Sequence, residues 1–330
     1  MPSLEGKAVL VTGAGGFIAG HLVVRLLRDG ARVRAFVHYN SRDARGTLDW
    51  LAPEAVADAE VVLGELRDVE SVTGACKGID IVLHLGAHVG IPYSYVNPRD
   101  FFEVNALGTL NVAQAALQHG VELVVHTSTS EVYGSARTVP ITEAHPLEPQ
   151  SPYAASKVAA DKVMDSWQRT YGLPATVLRP FNTYGPGQSA RAILPTIISQ
   201  ALAGSIVRLG SLHPRRDLTY VDDTVAGFVA AAQTPAAAGR TIQLGTGHDV
   251  SIGDMVQIVG DLLGRQLEVE SDPARVRAET SEVLRLVSSP DLARELLGWE
   301  PQVELRDGIA RTIRWMESNS GRYRADHYVI

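Results

Sequence analysis

A tyrosine and a lysine, Tyr153 and Lys157, stand four residues apart at the start of a predicted helix. This spacing places both side chains on one face of the helix. A tyrosine hydroxyl is a weak base, because its ordinary pKa is about 10. A neighbouring ammonium group and a positively charged ring bound nearby would favour the phenolate and lower that pKa. The pair therefore predicts removal of a proton from a substrate hydroxyl group.

A glycine-rich turn near the amino terminus joins a short apolar stretch to a helical pattern. Gly13 permits the tight turn, and Gly16 lets the backbone approach a pyrophosphate at the amino end of the helix. Ala19 is the third small residue, which close packing of helix on strand requires. Strand, turn and helix together predict that the chain binds a nicotinamide dinucleotide. The contacts expected here are Gly13, Gly16, Phe17 and Ile18.

The residues after the second predicted strand bear on the choice between NAD and NADP. An acidic residue usually lies there and binds the adenosine ribose of NAD, but this chain has His38. Asn40, Ser41 and Arg42 are able to receive a 2′-phosphate, which favours NADP slightly and leaves NAD open. Glu65, after the third strand, is a candidate for binding the adenine amino group. Further cofactor contacts are expected from Leu66, Leu85, Gly86, Ala87, Asn105, Tyr153 and Lys157.

Short β-branched stretches alternate with helical patterns in the first half of the chain, which predicts a parallel sheet covered on both faces. The expected fold is α/β, a Rossmann-like doubly wound parallel sheet with a smaller C-terminal substrate-binding lobe. We expect the NAD(P)-binding domain at 1–178, with returning segments near 215–245, and the lobe mainly at 179–330. The predicted strands are 8–12, 33–38, 60–63, 81–85, 123–127, 176–178, 206–209, 241–244 and 267–270. The predicted helices are 17–28, 69–76, 101–119, 153–171, 193–203, 221–232, 252–263 and 307–317.

Composition narrows the class of protein. Of 330 residues, 45% are hydrophobic and 20% charged, which is ordinary for a soluble globular protein. The formal net charge of -7 argues against a general nucleic-acid-binding face. The single cysteine, Cys76, excludes an internal disulfide, and the apolar stretch Ala8–Val11 is too short for a signal peptide or membrane span, so a cytoplasmic protein is expected. No metal is expected, since ligand spacing is missing around His84, His88, His126 and His145.

Several further motifs occur in an order typical of one protein family. They are the glycine turn, Val104–Thr109, the Tyr153/Lys157 pair, Leu178–Pro186, Arg216–Asp223 and Leu297–Pro301. Through these motifs nearly the whole chain resembles the extended short-chain dehydrogenase/reductases, specifically the nucleotide-sugar epimerases and dehydratases. The resemblance implies an enzyme with tightly bound NAD or NADP that is recycled in each turnover, a nucleotide-diphosphate sugar as substrate, and a homodimer formed through the helices at 101–119 and 153–171.

The motif at 126–134 distinguishes activities within that group. The resemblance implies that the Thr129 hydroxyl bridges the sugar O4 and Tyr153. In 4,6-dehydratases a glutamate occupies the position of Glu131, whereas 4-epimerases usually have a small or neutral residue there. Oxidation at C4 acidifies the proton on C5, which a carboxylate removes before water leaves from C6. We therefore predict a 4,6-dehydratase with Thr129, Glu131, Tyr153 and Lys157 as catalytic residues.

Ser130 stands where many dehydratases carry an aspartate that protonates the leaving hydroxyl. The GDP-mannose dehydratase type has serine there, so Glu131 is predicted to carry the proton from C5 to O6 itself. Residues 185–200 and 33–41 look most like UDP-N-acetylglucosamine (UDP-GlcNAc) 4,6-dehydratases of the legionaminic-acid type, which makes UDP-GlcNAc the preferred substrate. Substrate contacts are expected from Ser130, Asn182, Arg191, Arg216 and Arg277, with Arg275 an equal rival of Arg277.

Two other functions stay open. A nucleotide-sugar 4-epimerase, acting on UDP-glucose, UDP-GlcNAc or UDP-glucuronate, moves a hydride off one face of the ring and back to the other, and it needs no carboxylate base. A protein that senses NAD(P) without catalysis would keep the fold. The intact Thr129, Tyr153 and Lys157 argue against that last function.

Overall fold

The computed structural model describes residues 3–51, 53–276 and 282–324. The strands are β1 (Ala8–Thr12), β2 (Arg32–His38), β3 (Glu60–Gly64), β4 (Ile81–His84), β5 (Leu123–Thr127), β6 (Ala175–Pro180), β7 (Asn182–Tyr184), β8 (Ile206–Leu209), β9 (Arg215–Tyr220), β10 (Thr241–Leu244), β11 (Asp249–Ser251), β12 (Glu268–Ser271) and β13 (Arg285–Leu286).

The helices are α1 (Phe17–Arg28), α2 (Pro53–Val56), α3 (Val69–Cys76), α4 (Ile91–Val96), α5 (Pro98–Phe102), α6 (Gly108–Gln118), α7 (Pro152–Tyr171), α8 (Ile193–Ala203), α9 (Val221–Ala232), α10 (Ile252–Leu263), α11 (Asp291–Leu297) and α12 (Leu305–Ser318). A π-helical turn, Glu103–Leu107, joins α5 to α6, and a 3₁₀ helix, Ser130–Tyr133, follows β5. In the described part of the chain, no helix combines the length and apolar character needed to cross a bilayer.

A parallel sheet forms the centre of the molecule, with strand order β10-β6-β5-β4-β1-β2-β3. The strand order reverses between β1 and β4, and ligands of such sheets bind at this switch point, beyond the carboxyl ends of the strands. β10 comes from the second half of the chain and pairs with β6, where Ile242 lies opposite Leu178. The predicted α/β, Rossmann-like fold is therefore confirmed.

Both faces of the sheet are buried, as the first strand illustrates. Val9 and Val11 belong to a hydrophobic core shared with α1, α8 and α9, whereas Leu10 belongs to a second core shared with α3, α6 and α7. All three side chains are fully buried. Because neither face meets water, the strand shows no alternation of polar and apolar residues.

The second half of the chain contributes smaller sheets. β9 pairs with β11, β13 and β7, and β8 pairs with β12. Sequence patterns did not predict β7, β9, β11, α4 or α11. β9 was hidden by its charged start, Arg-Arg-Asp, although all its residues after Arg215 are buried. The single helix predicted at 101–119 is instead α5, the π-helical turn and α6 in succession.

Candidate active site

A cavity of about 690 Å³ lies at the carboxyl ends of β1 to β6. The glycine turn forms its floor: Gly13 has a φ of +68°, and a Cβ there would lie 2.6 Å from the Cα of Gly86. Gly16 precedes α1 and has no side chain to cap the helix, which leaves its first N–H groups to a phosphate. The glycine cradle, the uncapped helix end and the cavity volume fit a nicotinamide dinucleotide.

Many of the predicted residues line this cavity. They are Gly13, Gly16, Phe17, Ile18, His38, Asn40, Glu65, Leu66, Leu85, Gly86 and Ala87, with Thr129 and Tyr153 among the predicted catalytic residues. Lining residues that were not predicted include Ala44, Gly46, Val89, Pro180 and Phe181. The last two lie inside the Leu178–Pro186 motif, which could have indicated them. Ala44 and Gly46 lie in a polar loop that gave no such signal.

The loop after β2 separates the residues proposed for a 2′-phosphate. Ser41 and Arg42 are exposed and are not among the cavity-lining residues. The Asn40 Oδ1 accepts hydrogen bonds from the backbone N–H groups of Arg42 and Ala44 at 3.1 and 3.0 Å. Its Nδ2 donates to the Ala44 carbonyl at 2.8 Å. The Asn40 amide therefore folds its own loop.

Tyr153 and Lys157 lie one turn apart at the start of α7, as their spacing predicted. Ser151 fixes that start, because its Oγ accepts a hydrogen bond from the Ala154 N–H at 3.1 Å. The Thr129 hydroxyl acts on the Tyr153 hydroxyl and favours its phenolate. Of the predicted catalytic residues, Thr129 and Tyr153 line the cavity, and Lys157 is buried outside its lining.

Burial sets the pKa values of this pair. It raises the pKa of Tyr153 to about 12, although the hydrogen bond to Thr129 acts in the opposite direction. It lowers the pKa of Lys157 to about 8, against the opposing effect of the Asp161 charge. The protein side chains alone therefore do not produce the lowered tyrosine pKa that the sequence predicted, because desolvation of the phenolate outweighs them.

Glu131 lies in the 3₁₀ helix that follows β5. Thr129 caps this helix, and its Oγ1 accepts a hydrogen bond from the Glu131 N–H at 3.2 Å. The Glu131 side chain is partly buried. Burial is the main cause of the raised pKa of Tyr153; Thr129 acts to lower this pKa, and the charge of Glu131 acts to raise it. The Glu131 carboxylate therefore lies within electrostatic reach of the phenol. Ser130 is buried and is not among the cavity-lining residues.

A buried polar group lies behind Lys157. Asp161, one turn further along α7, accepts hydrogen bonds from Arg179 Nη2 at 2.9 Å and from Ser128 Oγ at 2.8 Å. His126 Nε2 lies 3.4 Å from the other oxygen of Asp161. Burial lowers the pKa of His126 to about 4, so its ring is neutral near pH 7. Asp161 therefore presents a fixed negative charge to Lys157.

A second buried chain of hydrogen bonds ties β1 and β4 to α6. The Gly86 N–H donates to Thr12 Oγ1 at 3.0 Å, which lies 2.7 Å from His84 Nδ1. His84 Nε2 lies 3.0 Å from Thr109 Oγ1, which donates to the Asn105 carbonyl at 2.6 Å. Since the Thr109 proton is used there, His84 Nε2 carries the ring proton and Nδ1 accepts. Burial also lowers the pKa of His84, in agreement with a neutral ring.

Asn105, a predicted cofactor contact, braces the loop after β4. Its Oδ1 accepts a hydrogen bond from the His88 N–H at 2.7 Å. Its Nδ2 donates to the His88 carbonyl at 3.0 Å and to Ser156 Oγ at 2.9 Å. The side chain is fully buried, outside the cavity lining. Asn105 therefore holds the loop against α7.

Among the described residues, no group of three or more histidine, cysteine or acidic side chains is arranged to hold a metal.

Two predicted substrate contacts lie on neighbouring strands. Asn182 begins β7, and its side-chain oxygen is buried without a hydrogen-bond partner in the protein. Arg216 lies on β9, two residues before Leu218, which is opposite Asn182. The Arg216 side chain is almost fully buried, and its Nη2 lies 3.4 Å from Glu282. The parallel pairing of β7 with β9 therefore places Asn182 and Arg216 on neighbouring strands.

Of the other three arginines, two lie in the described part of the chain. Arg191 is exposed and donates to the Val89 carbonyl at 3.4 Å, which places it near the cavity wall. Arg275 pairs with Asp272 at 2.9 Å. Arg277 lies outside the described residues. Sequence and structure together thus leave the rivalry between Arg275 and Arg277 as a prediction.

Known proteins share this chain's sequence and fold over almost its whole length. The sequence model of the family described as "GDP-mannose 4,6 dehydratase" matches residues 10–312. A UDP-glucose 4-epimerase of Mycolicibacterium smegmatis is 35% identical, over 94% of this chain and 99% of its own. A dTDP-glucose 4,6-dehydratase of Streptomyces antibioticus is 34% identical, over 94% and 92%.

A solved structure gives the same result for the fold. The DesIV double mutant, a dTDP-glucose 4,6-dehydratase from Streptomyces venezuelae crystallised with NAD, is 32% identical with a TM-score of 0.84. The similarity covers 95% of this chain and 98% of that one. Both activities, epimerase and dehydratase, therefore occur among relatives at similar identity.

Proposed function

The chain belongs to the NAD(P)-dependent nucleotide-sugar dehydratase and epimerase family described as GDP-mannose 4,6 dehydratase, and within it we propose that the chain is a 4,6-dehydratase. The reaction oxidises C4 of the sugar, removes water across C5 and C6, and yields a 4-keto-6-deoxy sugar nucleotide. The observation that carries this proposal is the position of Glu131. Its backbone N–H donates to the Thr129 hydroxyl two residues earlier, and its carboxylate acts electrostatically on Tyr153.

The cofactor would be held by the glycine turn, α1 and the ends of β2 to β4. When bound, the cofactor would supply a nicotinamide ring able to take up a hydride from C4 and give it to C6. The Tyr153 phenolate takes the proton of the 4-hydroxyl and becomes the neutral phenol, and Thr129 acts to favour that phenolate. Lys157 stabilises the phenolate before the transfer, because its ammonium lies on the same helical face.

Elimination requires a second proton transfer, which we assign to Glu131. Its carboxylate removes the C5 proton made acidic by the C4 ketone. The same proton then goes to the 6-hydroxyl, which leaves as water. A proton equivalent to the one that left O4 returns to C5 when the hydride reaches C6. Ser130 has no acidic proton to offer, so one carboxylate serves both steps.

The substrate in this proposal is UDP-GlcNAc. Its support is the likeness of residues 185–200 and 33–41 to UDP-GlcNAc 4,6-dehydratases. Asn182 and Arg216 are proposed to bind the diphosphate, because the N–H groups of an amide and a guanidinium on neighbouring strands donate to phosphate oxygens. Arg191 and Arg277 stay proposals for the same role.

The direct experiment incubates the purified enzyme with UDP-GlcNAc in deuterated water. We expect a 4-keto product, seen by its absorbance in alkali, with solvent deuterium at C5. Glu131→Gln should lower the rate at least about a hundredfold while UDP-GlcNAc still binds. Glu122→Gln, on an exposed pair with Lys7, is the matched control and should leave the rate unchanged. Unchanged dehydration in Glu131→Gln would remove the basis of this assignment.

A 4-epimerase is the second candidate. It is favoured by the 35% identity to a UDP-glucose 4-epimerase and by Ser130 in place of an aspartate. This activity would yield the 4-epimer without loss of water and without deuterium at C5. The same incubation, followed by nuclear magnetic resonance of the product, therefore decides between the two.

A homodimer and a cytoplasmic location are further parts of the proposal. Apolar side chains are exposed on and beside α6 and α7, namely Phe102, Leu107, Leu117 and Tyr171. A second copy of the chain would bury them, and sedimentation velocity should then report twice the monomer mass.

The single, buried and unpaired Cys76 supports a reducing compartment.

A further inference from the structure

The segment 44–50 lies directly on the glycine turn. The Thr47 N–H donates to the Gly15 carbonyl at 2.8 Å, and a Cβ on Gly46 would collide with the same carbonyl oxygen. Ala44 and Gly46 line the cavity. One wall of the cavity is therefore a short loop packed on the turn that is expected to hold the pyrophosphate of the cofactor.

This segment has little regular structure to keep it in place. Gly46–Trp50 forms a short 3₁₀ helix whose amino end has no side-chain cap, and the hydrogen bonds of such helices have poorer geometry than those of α-helices. Leu48 is buried in the core shared with α1 and anchors the helix on one side. The second large side chain, Trp50, is half-buried and is held by a distant part of the chain.

The end of the chain contacts this segment at Trp50. The ring centroid of Trp50 lies 6.4 Å from that of Trp315 in α12 and 5.1 Å from the guanidinium carbon of Arg322. Asn319 orients the arginine, because its Oδ1 accepts a hydrogen bond from Arg322 Nε at 3.2 Å while its Nδ2 donates to the Trp315 carbonyl at 2.9 Å. Since α12 packs on α8 and α10, these contacts join the second half of the chain to the first.

The same end of the chain also holds a second segment beside the cavity. The Tyr323 ring packs edge-on against Trp315, and its hydroxyl donates to the Gln188 carbonyl at 2.8 Å. The Gln188 side chain in turn donates to the carbonyl of Thr183, a cavity-lining residue, at 2.8 Å. Burial raises the pKa of Tyr323 to about 12, so this hydroxyl keeps its proton and donates throughout the neutral range.

We propose that Trp315, Arg322 and Tyr323 form a C-terminal latch, which holds the segment 44–50 on the glycine turn and limits how fast the dinucleotide enters and leaves. None of these three residues is among those that line the cavity. Loosening the latch should therefore lower the barrier in both directions and leave the contacts of the bound cofactor in place. The inference concerns the cofactor alone and holds whether the chain is a dehydratase or an epimerase.

Stopped-flow fluorescence of NADH, binding to and displaced from the stripped full-length chain, tests this. Arg322→Gln removes the contact of a cation with an aromatic ring and should raise the association and dissociation rates about two- to fivefold. Trp50→Leu removes both ring contacts and should raise them about fivefold or more. Tyr323→Phe removes one hydrogen bond and should raise them about threefold. Arg324→Gln, two residues after Arg322, is the matched control and should leave both rates unchanged.

The dissociation constant separates a latch from a residue that shapes the binding site. We expect it to stay within about twofold in all these variants, because both rates change together. Rates that stay within about twofold of the unaltered protein in both Arg322→Gln and Trp50→Leu overturn the proposal. A dissociation constant that rises while the association rate is unchanged also overturns it.

A crosslink tests the latch in the opposite direction within one protein. In the chain with Trp50→Cys and Arg322→Cys, a short bis-maleimide joins the two positions. NADH should exchange fast before the reaction and at the rate of the unaltered protein, or more slowly, after it. Burial raises the pKa of the Cys76 thiol to about 12, so this native cysteine does not compete for the reagent. Fast exchange that persists in the crosslinked protein would contradict the latch.

Discussion

The two sides of the cavity are built from different polar contacts. On the side of β5 and β6, Asp161 and Arg179 form an ion pair whose side chains are 5% and 6% exposed. On the side of β2 and β3, His38 and Arg67 pair with Glu65, and their side chains are 70% and 41% exposed. Ion pairs of similar residue types and distances are thus buried on one side of the cavity (the dry setting) and exposed to solvent on the other (the wet setting).

This difference in burial determines which of the ion pairs tolerate substitution. In the dry setting, loss of one partner leaves an uncompensated buried charge, so the geometry around Lys157 is held rigidly. In the wet setting, water and salt screen each pair, so residues there can be exchanged at small cost. The contacts around Lys157 are accordingly fixed by burial, whereas the contacts of Glu65 lie on a surface that is easy to alter.

The strongest way to break the buried side is to remove Arg179. Arg179→Met should lower the free energy of unfolding by about 3–5 kcal/mol, because Asp161 loses its counter-charge. Urea denaturation measures this. Arg208→Met, which breaks an exposed pair with Glu270, is the control and should cost less than about 1 kcal/mol. Equal costs for the two variants would contradict the comparison.

Acid should also act on the buried side first. The pKa of His126 is about 4 in the folded chain and 6.5 as its ordinary value, so the unfolded chain binds more protons between these values. The stability that neutral His126 supports is complete above pH 6.5 and is lost as the pH falls toward 4, by about 3 kcal/mol. Unfolding free energies measured from pH 7.5 to 4.5 should decline less steeply in His126→Gln. Equal slopes of unfolding free energy against pH in the unaltered protein and in His126→Gln would contradict the prediction.

The charge on Lys157 should limit activity at high pH. With a pKa of about 8, Lys157 is protonated below that value and neutral above it. We expect kcat to fall about tenfold per pH unit above pH 8. Asp161→Asn removes a charge that raises this pKa, so the decline should begin at lower pH. Asp165→Asn, one turn later in α7 and exposed, should leave the pH profile in place.

The smallest effect is expected on the exposed side. Arg67→Gln breaks the contacts to Glu65 and Asp100 but should change the free energy of unfolding by less than about 1 kcal/mol. Thermal unfolding at low and high salt would show this. A loss of unfolding free energy comparable with that of Arg179→Met would mean that the contacts of Arg67 with Glu65 and Asp100 support the fold.

The placement of Tyr153, Lys157 and the glycine turn could be predicted because its signals are local. Residues four apart on one helix must share a face, and the glycine turn has one conformation that fits its neighbours. The bounds of β1, β5 and α3 were correct for the same reason, since unbroken apolar stretches end at turn residues. What the sequence did not reveal is the Asp161–Arg179 pair, because α7 and β6 meet only through the packing of the sheet.

The adenosine side was predicted less well for a related reason. His38 was recognised as an unusual residue at the end of β2, but its partner Glu65 lies on the next strand. Only the register of β2 against β3 shows that the Glu65 carboxylate lies beside His38. Short polar strands such as β7 and β9 were not predicted, because their sequences show no alternation of polar and apolar residues. Their burial comes from neighbours distant in the chain.

The π-helical turn at Glu103–Leu107 makes the chain sensitive to length at one place. A π-helical turn holds one residue more than the α-helical turn it replaces, and each residue of an α-helix rotates the chain by about 100°. A one-residue deletion there would keep a helix but carry Thr109 away from His84, with the hydrogen bond between them. Among relatives, we therefore expect the number of residues between Phe101 and Thr109 to be constant even where their types differ, while the loop at 40–46 varies in length.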